Sequence, residues 1–161
     1  EIDRPAEDVE KVIDKYFGGN GLLYAKKYYE ELSKLPAYGD FDIIGHFDLI
    51  TKHCDNHNFF DMNSEEYLSY AFDCAKKLSG KIPFFEVNTG VIARGYRLTP
   101  YPSIPIIKEM KRLGFGAVIS SDCHNAKDLT CCFKEAEELL KSCGYKEHYV
   151  LTKEGFKAVE F

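Results

Sequence analysis

Three short stretches concentrate the residues able to do chemistry. Asp122-Cys123-His124 places a carboxylate and an imidazole two positions apart. In an extended chain, residues i and i+2 point the same way, so both side chains can reach one ion or one substrate. Gly45-His46-Phe47-Asp48 offers a second imidazole, with glycine clearing space beside it. Phe85-Glu86-Val87-Asn88 ends an apolar run on a carboxylate and an amide. The O and N donors of His46, Asp122 and His124 suit Zn, Mn or Fe. Asp48 could orient a histidine through its second ring nitrogen. Glu86 and Asn88 read as supports that hold backbone or neighbouring side chains. The plainer readings are a capping Asp122, a surface His124 and a satisfied core His46, and the patterns alone leave them open.

Arg94 and Arg97 lie in a Gly- and Pro-containing loop, 88–102. A guanidinium grips a phosphate through two parallel hydrogen bonds, so both are candidate phosphate binders. The alternative is a pair of solvated surface charges. Taken together, the groups suit hydrolysis of a small phosphate ester assisted by divalent metal ions. No GxSxG elbow and no GxGxxG or GxxxxGK[ST] phosphate loop is present.

The elements around these residues are legible in the hydrophobic period. Helical spacing predicts helices over 3–17, 22–35, 65–78, 104–113 and about 129–143, with Ser64 and Ser103 as N-caps. Short apolar runs predict strands at 41–45, 82–87, 115–120 and 148–151. The candidate residues therefore fall at the C-terminal ends of three strands, where parallel α/β proteins bind ligands. Four strands separated by helices imply βαβ units in an open sheet or in part of a barrel. A part-barrel would leave an apolar side for a second copy or a further segment to cover.

Composition narrows the function class. The chain has 161 residues and a net charge of -5, which disfavours a broad nucleic-acid or anionic-membrane surface. No apolar run approaches the roughly 20 residues of a membrane span, and no signal peptide is evident. The six cysteines form no CxxC pair. They read as reduced, core or near-core residues, which points to the cytoplasm. His53, His57 and His148 read as structural or surface residues.

The segments FDIIGHFDLITKH, FFEVNTG with ARGYRLTPYPS, and VISSDCHNAKD, in this order, resemble the histidinol-phosphatase branch of the PHP (polymerase and histidinol phosphatase) superfamily. The resemblance continues to GYKEHYVLTKEGFKAVEF. It implies a distorted seven-stranded (β/α) barrel with metals at its C-terminal rim, and hydrolysis of histidinol phosphate in histidine biosynthesis. It implies His46, Asp122 and His124 as metal ligands, Arg94 as a phosphate binder and Arg97 as its companion. It also implies that residues 1–161 are the C-terminal part of such a domain. The family's early HxH motif, further histidines and bridging glutamate are not found here, so the expectation for this chain alone is weak activity or none. The competing expectations are a related phosphoesterase acting on another ester or on nucleic-acid ends, and a non-catalytic binding or structural protein.

Overall fold

The structure is a computed structural model and describes residues 2–161. Two helices come first, α1 (Ala6–Phe17) and α2 (Gly21–Leu32). Gly18, at φ 60°, ends α1 in the left-handed region, and the Asn20 side chain accepts from Leu23 N to start α2. Pro36 then sits in a 3-10 turn, Leu35–Ala37, so α2 stops short of the expected residue 35. Strand β1 is Ile43–Ile44, shorter than the expected run. Helix α3 (Glu65–Leu78) has the expected limits, with Ser64 accepting from Tyr67 N.

The alternating units continue with β2 (Phe84–Asn88), a single helical turn α4 (Gly90–Ala93), α5 (Ile104–Arg112) and β3 (Gly116–Ser120). Helix α6 (Phe133–Ser142) begins four residues later than expected. Cys132, at φ 57°, is left-handed and cannot lie within a helix. Strands β4 (Glu147–Thr152) and β5 (Gly155–Glu160) form a terminal hairpin. The fifth strand was not anticipated, because Phe156, Ala158 and Glu160 on one side and Lys157 and Val159 on the other give no clean apolar face.

The five strands form one sheet in the order β1-β2-β3-β4-β5. The first three junctions are parallel and the last is antiparallel. The protein is thus mixed α/β with a mostly parallel sheet. Phe85 and Val87 of β2, and Ala117 of β3, are fully buried in one core with Ala71, Leu78, Ile106, Ile107, Met110 and Leu140 of the helices. Their alternates face the opposite side. There Phe84 meets Tyr149 at 4.8 Å and Phe156 at 4.4 Å between ring centroids. Phe84 lies so close over Gly116 that a Cβ there would come within 2.6 Å of its ring. Among the described residues, no helix is long and apolar enough to cross a membrane. The six cysteines are all free.

Two of the buried tyrosine hydroxyls, those of Tyr29 and Tyr67, lie 2.7 Å apart in the core. Each satisfies the other, joining α2 to α3. Tyr67→Phe is expected to lower stability by about 1–3 kcal/mol by orphaning the Tyr29 hydroxyl. Changing both to Phe should recover most of that loss, and urea denaturation of the single and double variants checks it. Equal losses in both would mean that the hydroxyl pair is not the cause.

Candidate functional site

His46, Asp122, His124 and Arg94 line one cleft of about 300 Å³, together with Asp3, Leu49, Lys52, Val91, Tyr96 and Tyr101. The cleft lies at the C-terminal ends of β1, β2 and β3. The chain turns sharply as it leaves two of these strands. His46 has φ 27° and Asp122 has φ 43°. Both lie in a region that costs non-glycine residues about 1 kcal/mol or more, although Asp and His visit it more readily than most. Such strain persists where surrounding bonds over-determine the backbone, and it clusters at functional sites.

The bonds that hold these turns form a chain across the three strand ends. Glu86 Oε2 accepts from His46 N at 2.8 Å and from Asn88 Nδ2 at 3.1 Å. Asn88 Nδ2 also reaches Asp122 Oδ2 at 3.3 Å, and Asn88 Oδ1 accepts from Gly90 N at 3.0 Å. Arg94, just past α4, donates to Asp122 O at 2.7 Å and to Asp122 Oδ2 at 3.1 Å. His124 Nε2 lies 3.7 Å from Asp122 Oδ1 and its side chain is exposed. Asp122 N donates to Ser120 Oγ at 3.1 Å. Glu86 and Asn88 thus link the ends of β1, β2 and β3 through their side chains. Gly45 is not required for this arrangement, since a Cβ there would lie 3.6 Å from Glu86 Oε2, an ordinary contact distance.

Two expected residues lie elsewhere. Arg97 does not line the cleft. Its buried guanidinium donates to Thr51 Oγ1 at 2.7 Å and Thr99 Oγ1 at 3.2 Å, and sits 3.8 Å from Asp48 Oδ2. A guanidinium enclosed in this way is a structural ion, so Arg97 does not stand beside Arg94 in the cleft as expected. Asp48 does not orient a histidine. It is fully buried and accepts from Ser103 N at 2.9 Å. Burial pushes its carboxyl above the ordinary aspartate value, with the charge of Arg97 and the Ser103 N–H opposing the rise. Ser103 occupies the N-cap position of α5 but makes no side-chain cap bond.

The expected metal ligands match an ion in donor chemistry and not in arrangement. Among the described residues, no three His, Cys, Asp or Glu side chains form a group able to hold a metal ion. Asp122 Oδ2 is already engaged by Arg94 and Asn88. His53 and His57 lie outside the cleft, with ring centroids 6.1 Å apart and His53 Nε2 2.8 Å from Arg4 O. His148 stacks on Phe161.

Sequence reasoning missed Lys52, Tyr96, Tyr101 and Asp3. Tyr101 reaches the site because it pairs with Asn88, each backbone N–H donating to the other's carbonyl. That link spans a loop and leaves no local signal. Compared with known proteins, the chain is matched by no family model and by no curated protein.

Proposed function

We propose that this chain carries the substrate cleft of a metal-dependent phosphate monoesterase, with histidinol phosphate as the first candidate substrate. The carrying observation is that His46, Arg94 and the Asp122–His124 pair, from three separate loops, face one cleft at the parallel strand ends. Arg94 supplies positive charge for a phosphate. His46 and the solvent-exposed His124 are the imidazole donors that the metal part of the reading would use. The sequential order of β1 to β4 supports the barrel part of the reading, because an open doubly wound sheet reverses its order at a switch point. A seven-stranded (β/α) barrel would need further strands beside these. The metal part of the reading rests on donor type and sequence resemblance. It requires the Arg94–Asp122 pair to open, or further ligands to join the rim.

The test measures both binding and turnover, since weak turnover is expected of this chain alone. Histidinol phosphate is titrated calorimetrically against the protein and against Arg94→Ala, with metal content determined by elemental analysis. Phosphate release is followed over a panel of monoesters and 3′- or 5′-phosphorylated oligonucleotides. Binding weakened about tenfold or more by Arg94→Ala, with histidinol phosphate preferred in the panel, is the expected result. Preference for another ester or for nucleic-acid ends would transfer the reading to that substrate. Absence of binding to every phosphorylated compound at millimolar concentration would sink it.

A further inference from the structure

We propose that Lys52 is an anion-binding residue of this cleft, and that the Asp3 carboxylate holds its ammonium in the place of a ligand's phosphate oxygen. The proposal rests on the phosphate-ester reading for its ligand class, but not for any catalytic step.

Lys52 follows the 3-10 turn Leu49–Thr51 that leads on from His46. Its side chain is largely enclosed, at 15% exposure, and its Nζ sits 4.3 Å from the centre of the Tyr96 ring. The aromatic face orients the ammonium without consuming an N–H. Asp3 Oδ1 accepts from Nζ at 2.6 Å. An ammonium has three donors, so this bond leaves capacity for more than one oxygen.

The partners differ in how firmly each is held. Asp3 is 68% exposed, whereas Lys52 is packed into the cleft wall. The exposed Asp3 carboxylate regains water when it leaves, which lowers the cost of exchanging it for another anion. Arg94, the other cleft cation, is already committed to Asp122 through two bonds. Lys52 is therefore the cleft cation whose carboxylate partner is the more easily displaced. Asp3 lies in the field of the whole group. Its carboxyl is held below the usual aspartate value, first by the Lys52 hydrogen bond and then, against some desolvation, by the charges of Lys52 and Arg94. A carboxylate bonded to Lys52 and lying in the field of Arg94 marks where a phosphate would be stabilised. The segment bearing Asp3 then acts as a built-in competitor.

Inorganic phosphate is the probe, titrated calorimetrically at low ionic strength in chelator-treated buffer. Lys52→Met is expected to weaken phosphate binding about tenfold. Lys52→Arg keeps the charge and should retain most of the affinity. Asp3→Asn removes the competitor and should tighten binding severalfold. In the double variant that gain should vanish. Unchanged affinity in Lys52→Met, or no tightening in Asp3→Asn, would overturn the proposal, as would failure of phosphate to bind the unmodified chain. The expected pattern with inorganic phosphate together with no binding of any phosphate monoester would leave this proposal standing and remove the monoesterase reading. Ester turnover that is indifferent to Lys52 and Asp3 would do the reverse.

Discussion

Replacing Arg97 by Met should destabilise the protein by about 3–5 kcal/mol at neutral pH, by leaving a buried carboxylate without its counter-charge. The side chain is enclosed among Asp48, Thr51, Thr99, Met62 and the ring of Tyr101, whose centroid is 5.3 Å from its guanidinium carbon. Methionine fills part of that volume but offers neither charge nor donors. The loss should depend on pH in a defined sense. Burial already raises the Asp48 carboxyl above its unfolded value, so this group favours folding most below about pH 3.8 and loses that contribution as pH rises through its folded value. Removing Arg97 takes away the charge that most opposes this rise and lifts the folded value further. The gap between wild type and variant must then widen from acid to neutral pH. Urea denaturation of both proteins at pH 5 and pH 7.5 reads it directly. A gap that is constant across that range would show that the ion pair is not its source. The double variant Asp48→Asn/Arg97→Met should recover part of the loss, since removing both charges spares the uncompensated one.

Gly90→Ala is the second large expected effect, and its cause is steric. A Cβ at Gly90 would lie 2.1 Å from the carbonyl oxygen of Ser121 and 2.7 Å from Arg94 Nη1. The first neighbour is backbone at the start of the Asp122 turn and cannot swing aside. The cost should reach about 3 kcal/mol, the upper end of ordinary overpacking. Gly114→Ala is the informative control. Gly114 is left-handed, at φ 85°, with nothing near its added methyl, so its cost is conformational only, about 1 kcal/mol. Gly90→Ala should also weaken phosphate binding, because Ser121, Asp122 and Arg94 must move together. Thermal denaturation and phosphate titration of both variants check the contrast. Intact phosphate affinity in Gly90→Ala would show that the close approach does not position the rim.

The contrast between these two glycines shows what the sequence could and could not convey. Gly114 sits between a helical period and a strand and reads as a turn. Gly90 looks like one more loop glycine, because its neighbour Ser121 is distant in the chain. The same division runs through the site. His46, Asp122 and Glu86 could be picked out because a polar residue after an apolar strand is a local signal. Arg94 and Arg97 carried identical local signals, yet one faces the cleft and the other is buried against Asp48. Only the packing of the 48–51 turn against 97–103 separates them. Lys52 and Asp3 are charged residues in polar stretches, and nothing local marks them as cleft residues. Helix α3 was readable to the residue because Ser64 and Gly80 bracket a regular apolar stripe. Strand β5 was not, because an edge strand open to solvent needs no apolar face.

The sheet has two unlike borders. One is the two-residue strand β1, whose end leads directly into the strained turn at His46. The other is β5, six residues long and separated from the cleft by β4. A strand recruited alongside β1 in the same direction would deliver its last residues next to His46, whereas one recruited alongside β5 would arrive far from the rim. Association at the first border would therefore reach the cleft, and association at the second would not.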